Sequence, residues 1–378
     1  MPHAPPLGAL LRHYAAGAAL ACEPVDQGLL NRGYRLRTTR GRYFLKHHFD
    51  PDTADPASIA RQHRATERLA DLGVPVAPPL PGHDGRTVAV VAGHAYALHP
   101  WIDGRHRHGA QLTPAECGRL GALLGVVHTS LERVMPAHGE VPAAREERLP
   151  PASPAPPASP AHKWVRTTPT ATPAPAERPA SPAPSDPADT GTADPSDTFA
   201  LIDDLLARVR RHHPADSFDE LARHRLLERR TLLELHADRR PPHTGPVGWV
   251  HGDFHPFNLL YRGDAPAAIV DWDRLGVQPR GEEAVRAAAI FFVRPDGALD
   301  LPKARAYARG YRRTAMATPS ELAAAVHRVW WERLNDFWML RWHYERGDTR
   351  ADSQFPAASA LAVWWTQEYD AVCAAFSD

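Results

Sequence analysis

The stretch Trp249-Val250-His251-Gly252-Asp253-Phe254-His255-Pro256-Phe257-Asn258-Leu259-Leu260-Tyr261-Arg262 is followed, after Gly263-Asp264-Ala265-Pro266, by Ala267-Ala268-Ile269-Val270-Asp271-Trp272-Asp273. The intervening residues are a turn signal between two short apolar runs, Asn258–Arg262 and Ala267–Val270. A β-hairpin is expected. With the turn centred on Asp264-Ala265, Asn258 falls opposite Asp271, and a slip of one residue would send them to opposite faces. In that register an amide oxygen and a carboxylate converge at one end of the hairpin. Asp253, on the loop before it, reaches the same place. An oxygen-rich set of this kind suits a hard cation such as magnesium, which keeps substrate phosphates in its shell.

Composition narrows the classes around this stretch. Of 378 residues, 43% are hydrophobic, enough for a sizeable core, and basic and acidic residues balance at 44 each. That balance gives no electrostatic reason to expect a nucleic acid or a membrane surface as partner, and no obligate protein partner is evident. Cys22, Cys117 and Cys373 are scattered, with no CxxC pair. This fits a reducing cytoplasm and speaks against a disulfide framework or a cysteine zinc site. No apolar run is long enough to cross a bilayer. Ala19-Leu20-Ala21-Cys22 faintly suggests a lipoprotein cleavage site, but Arg12 and His13 interrupt the apolar stretch and no basic residue precedes it. Residues 1–20 are therefore read as an amphipathic first helix.

Between Val25 and His48 the pattern is a three-strand meander: two glycines, Gly28 and Gly33, flank a loop containing Asn31, an alternating run follows, and Thr39–Arg42 turns into Tyr43–His48. Such a loop can offer backbone N–H groups to phosphates, although an ordinary hairpin turn looks the same. The strand carries one lysine, Lys46, which by itself would be read as facing solvent. Residues 56–72 have helical spacing at Ile59, Gln62, His63, Thr66, Leu69 and Leu72. A second hairpin, Thr87–Val91 with His94–His99, leads into Pro100-Trp101-Ile102-Asp103-Gly104.

The second half reads as helices: 112–129, 199–211, 221–236, 281–292, 304–315, 319–345 and 355–376. His128 is read as a packing and hydrogen-bonding residue. Fifteen of the 39 prolines fall in 141–197, a segment too poor in large apolar side chains to offset its ordering entropy. It is read as a disordered insertion, at about 137–197, within one architecture. Trp330, Trp331, Phe337, Trp338, Trp342 and Tyr344 crowd one region and Trp364 and Trp365 another. Their spacing makes most of them core, with one or two left to wall a substrate pocket. Glu332, Asp336 and Glu345 nearby are read as a solvated helix face, with attraction of a cationic amine as the alternative.

His251-Gly252-Asp253 with Asn258 five residues after the Asp, then an apolar strand ending in Asp271, resembles the catalytic segment of the aminoglycoside phosphotransferase and choline kinase group, small-molecule relatives of the protein kinases. The resemblance implies an α+β, two-lobed fold: an N-terminal nucleotide-binding lobe of antiparallel sheet (1–100) and a larger, mainly helical lobe (101–378). It implies transfer of the γ-phosphoryl group of ATP, or of GTP, to the hydroxyl of a small molecule. Asp253 is then the catalytic carboxylate, Asn258 and Asp271 hold magnesium, and Asp273 is a possible second metal contact. Lys46, Gly28, Asn31 and Gly33 face the phosphates, and the base lies near Leu98–Trp101, where the chain crosses between lobes. Two departures stand out. Trp272-Asp273 replaces the Phe-Gly that follows the metal aspartate in protein kinases. The helix that usually supplies a glutamate to the strand lysine has Gln62 and His63 at the expected place, so Glu67 or a carboxylate from elsewhere pairs with Lys46, or the pair is lost. Aminoglycosides, homoserine, choline and sugars are all acceptors in this group. A nucleotide-binding pseudoenzyme is a further alternative. So is a metal hydrolase, using His251, Asp253 and His255 with His236 and His243.

Overall fold

In the computed structural model, which describes residues 5–25, 31–49, 54–136, 193–242 and 247–378, the alternating runs near the N-terminus build one antiparallel sheet. Strands β1 (Ala19–Val25), β2 (Arg32–Thr38) and β3 (Gly41–His48) form the meander, and β4 (Val88–Val91) and β5 (His94–Pro100) the second hairpin. Their order is β1-β2-β3-β5-β4. Helices α1 (Leu7–His13) and α2 (Pro56–Asp71) cover the two faces. Period-two alternation sorts the side chains. Leu36, Leu45 and Leu98 cluster with Leu10 and Tyr14 on the α1 side, while Val88 and Ala95 meet Ile59 of α2. Lys46 pairs with Ala97 across β3 and β5, so it shares the α2 face.

The first helix is shorter than expected. Ala15 (φ 50) and Gly17 (φ 84) adopt left-handed backbone, and the Thr38 hydroxyl donates to Ala16 O at 2.6 Å. The chain therefore turns, and residues 19–21 open an edge strand instead of closing a helix.

Past Pro100 the chain is mainly helical. The elements are α3 (Pro114–Val134), α4 (Pro195–Arg211), α5 (Ser217–His236), β6 (Val247–Val250), β7 (Leu259–Arg262), β8 (Ala265–Ile269), β9 (Gly276–Pro279), α6 (Arg280–Phe292), α7 (Leu301–Ala315), α8 (Pro319–Asn335), α9 (Trp338–Arg341), α10 (Phe355–Gln367) and α11 (Tyr369–Ser377). The fold is α+β and two-lobed, with a small sheet lobe beside a larger helical one. Trp330, Trp331 and Trp365 are fully enclosed in its large core. No helix among the described residues is long and apolar enough to cross a membrane.

Three boundaries depart from the sequence reading. Helix α4 begins at Pro195, capped by the Asp194 carboxylate accepting from Ser196 N, so the end of the proline-rich segment is helical; its residues 137–192 lie outside the described residues. The helix expected over 319–345 breaks at Asp336, whose carboxylate accepts from Trp338 N at 3.1 Å, and resumes as α9 and a π-helical turn, Trp342–Arg346. The last helix divides at Glu368.

Helices α3 and α7 pack closely through glycines. A Cβ on Gly121 would lie 2.0 Å from Tyr307 O, and one on Gly310 would lie 2.0 Å from Gly118 O. Alanine normally raises helix stability over glycine by about 1 kcal/mol. Here the sign should reverse: Gly121→Ala is expected to destabilise by roughly 1–3 kcal/mol through overpacking, read as a lower urea midpoint.

Candidate active site

Strand β6 delivers the loop 251–258 and pairs with β9, so the loop is anchored to the segment that follows Asp273. Gly252 is left-handed (φ 84), and a Cβ there would meet Arg274 O at 2.1 Å. Only glycine fits. The His251 ring is fully buried. Its Nδ1 accepts from Asp253 N at 3.2 Å, and its Nε2 donates to Val270 O at 3.0 Å. Burial pushes its pKa down, which keeps the ring neutral and able to donate on one side while accepting on the other. His251 thus ties the loop to the β8 end of the hairpin. Trp272 packs against it at a tilt, ring centroids 4.5 Å apart, so the residue in place of Phe-Gly belongs to this packing.

The hairpin forms, but its register differs from the expected one. Gly263 (φ 59) takes the first place of a two-residue turn with Asp264, so Ala265 and Pro266 are strand residues. A bulge then leaves Ala267 unpaired, since Leu260 faces Ala268 and Tyr261 faces Pro266. Asn258 O consequently accepts from Val270 N at 3.0 Å, and Asp271 lies one residue beyond the pairing, in left-handed backbone (φ 61).

Around the loop, Asn258 Nδ2 donates to Asp253 O at 2.8 Å and lies 3.3 Å from Asp253 Oδ2, and His255 Nε2 is 3.4 Å from the same oxygen. Burial pushes the Asp253 carboxyl up, but the His255 hydrogen bond and neighbouring positive charge outweigh it, leaving the pKa below the usual value. Asp253 is therefore ionised at neutral pH. A second cluster forms on Lys46, whose Nζ is 2.6 Å from Asp271 Oδ1 and 2.7 Å from Asp273 Oδ1. Burial lowers the lysine pKa, and the two carboxylates more than reverse this. Burial raises the Asp271 pKa, but Lys46 outweighs it and holds Asp271 ionised, while Asp273 is pushed up by burial and by Asp271. Asn31 Nδ2 donates to Asp273 Oδ2, and Gln62 Nε2 donates to Asp273 O at 2.9 Å.

The lysine partner left open by the sequence is thus the Asp271/Asp273 pair, not Glu67. Gly33 faces Lys46 across β2 and β3, and a Cβ on it would lie 2.6 Å from the Phe44 ring. Gly28 lies outside the described residues. Leu98 and Trp101 are not brought to Lys46: Leu98 packs in the α1-side core, and Trp101 N donates to Arg42 O while Arg35 lies over its ring. Helix α6 adds a residue the sequence reading missed. Glu283 accepts from His251 N at 3.2 Å and from Gly252 N, and pairs with His128 Nε2 at 2.6 Å. Two adjacent acids in a helical first turn were its only signal, and that pattern is generic.

The histidines of the metal-hydrolase reading are used otherwise. His251 is locked as described, His236 meets the Trp330 ring edge-on at 5.6 Å, and His243 lies outside the described residues. Nor are the acids near the tryptophans simply a solvated face. Glu332 is buried against Arg286 at 2.9 Å, burial pushes Asp336 up, and only Glu345 is exposed, beside Arg341 at 3.2 Å.

His48 and His63, buried beside Lys46, have pKa values pushed down to about 2 and about 3, by burial first and by positive neighbours second. Their folded pKa lies below the ordinary 6.5, so unfolding takes up protons on acidification. The stability they support is complete above 6.5 and falls as pH drops towards the folded values. The slope is expected to be about 1.4 kcal/mol per pH unit per histidine. Thermal melts from pH 7 to 4.5 test this, with His63→Gln flattening the curve.

The comparisons come to the same place. The sequence matches the profile of the phosphotransferase enzyme family over residues 21–317. It is 23% identical over 366 residues to a homoserine kinase of Acidiphilium cryptum, covering 90% of this chain and 94% of the relative. The fold is similar to that of an amicoumacin kinase (TM-score 0.57, 15% identity, 95% of this chain and 92% of the other). It is also similar to that of a microcompartment-associated aminopropanol kinase (TM-score 0.56, 16% identity, 98% of each chain). The chain belongs to the phosphotransferase enzyme family and is a small-molecule kinase.

Proposed function

We propose that the chain transfers the γ-phosphoryl group of ATP to the hydroxyl of a small amino alcohol. The observation that carries the reading is the ionised Asp253, steadied by Asn258 and His255 on the loop that His251 ties to the Lys46–Asp271 cluster. Asp253 orients the acceptor hydroxyl and takes its proton as the bond to phosphorus forms. Lys46 holds the phosphates, with Gly33 on the neighbouring strand, Asn31 just before that strand and Gly28 earlier in the sequence, and the base lies along the Leu98–Trp101 crossing. Positioning and charge neutralisation account for most of the rate in such a transfer.

The donor set fits magnesium. The Asp271 carboxylate is 45% exposed, and the Asn258 amide nitrogen is taken up by Asp253, which leaves the amide oxygen for a cation. When bound, the ion would neutralise charge on the phosphates. An ATP analogue and calcium are named in the amicoumacin kinase complex, which supports a nucleotide with a divalent cation. The amino-alcohol class is supported by the homoserine and aminopropanol kinases among the relatives. Three free cysteines are in keeping with work in a reducing cytoplasm.

Magnesium-ATP at about a hundred times its Kd is expected to stabilise the protein by about 2.7 kcal/mol, seen as a raised Tm. An ADP-release screen over homoserine, aminopropanol, choline, sugars and aminoglycosides should then single out amino alcohols. A Tm unmoved by nucleotide would sink the reading; turnover confined to sugars would remove the amino-alcohol part.

A further inference from the structure

Two carboxylates contact Lys46, and their surroundings differ. The Asp271 side chain is 45% exposed, whereas that of Asp273 is 13% exposed. Both carboxylate oxygens of Asp273 are engaged, one by Lys46 Nζ at 2.7 Å and the other by Asn31 Nδ2. Its main chain is fixed as well, because Gln62 Nε2 donates to Asp273 O at 2.9 Å. Gln62 is itself buried in the α2 face, at the place where a lysine-pairing glutamate was expected. The amide therefore reaches the Asp-Trp-Asp segment, and the charge that meets the lysine comes from the segment.

We propose that Asp273 is the positioning residue that orients Lys46 towards the nucleotide, a task moved off helix α2, with Gln62 as its anchor. The proposal rests on the phosphotransferase reading of the site above. Asp271 also bonds Lys46, but it is the more exposed of the two and keeps its second oxygen for a cation, while both oxygens of Asp273 are engaged. An ammonium held by a fixed carboxylate presents its remaining N–H donors in one direction, and a charge-assisted hydrogen bond of this kind is strong. Movement of α2 is then passed to the lysine through the Gln62–Asp273 main-chain contact.

The test uses the full-length protein and compares wild type with Asp273→Asn, Asp273→Ala and Gln62→Glu/Asp273→Ala. ATP affinity is measured by calorimetry with magnesium and again with EDTA, alongside KM for ATP, kcat and the melting temperature. Loss of the carboxylate should weaken ATP binding and raise its KM by about tenfold or more, with EDTA present as well as absent, while kcat falls much less. The double variant, which returns a carboxylate to α2, should recover part of the affinity. Wild-type affinity in Asp273→Asn, or a collapse of kcat with KM unmoved, would overturn the proposal alone. A wild-type chain that binds no ATP would overturn the functional reading and this proposal with it.

Discussion

Asp253→Ala is expected to lower phosphoryl transfer by about 10²–10⁴-fold while leaving ATP affinity and the melting temperature close to those of the parent. The separation follows from geometry. Asp253 contacts Asn258 and His255, whereas Lys46 is held by Asp271 and Asp273. Removing the loop carboxylate takes away the proposed proton acceptor and leaves Lys46 in place. Asp253→Asn should be nearly as inactive, because an amide at that position has no basic oxygen to take a proton. Single-turnover measurements with saturating ATP read the chemical step directly. Transfer within about tenfold of wild type would mean that Asp253 contributes less than a general base does.

The second large effect is structural in origin. Glu283 is 2% exposed and accepts from His251 N, Gly252 N and His128 Nε2. Glu283→Ala would leave these buried donors without an acceptor, at a cost of about 3–5 kcal/mol, and the loop carrying Asp253 would lose its fixed shape. Activity and stability should fall together, unlike the Asp253 case. A pH signature separates this role from mere packing. Burial raises the Glu283 pKa, but the His128 hydrogen bond and nearby charge bring it below the ordinary 4.5. Its stabilisation is therefore complete above 4.5 and lost as pH falls through the lower folded value. Glu283→Gln should be destabilised at pH 7 and should lack that part of the acid dependence, as measured by urea melts at a series of pH values.

Much of this architecture was legible because it is written locally. The apolar run over Tyr43–His48 gave a strand, three- and four-residue steps over 56–72 gave a helix, and the Asp253–Asn258 spacing with Asp271 gave the candidate site. What escaped depends on backbone detail or on distance. The hairpin register was missed because Gly263 moved the turn by one residue and Ala267 bulged out to recover part of the shift. Neither event has a distinctive sequence signal. The Lys46 partner stayed open because Lys46 and Asp271 meet across 225 residues of chain, and no spacing rule reaches that far. Glu283 was overlooked because an acid in a first helical turn is ordinary; its role appears only when the loop packs over it. The break at Asp336 hides inside a run whose hydrophobic period continues through it.

Gly252 has a consequence for how such an enzyme can change. Its α-carbon presses against the backbone of Arg274 with no room for a side chain, and the buried His251 beside it is bonded on both nitrogens. Loop, hairpin end and Asp-Trp-Asp segment therefore form one inflexible block. A substitution at Gly252 or His251 costs stability before it can alter specificity. A change of acceptor is therefore reached with less loss of stability from the helices of the large lobe than from this block.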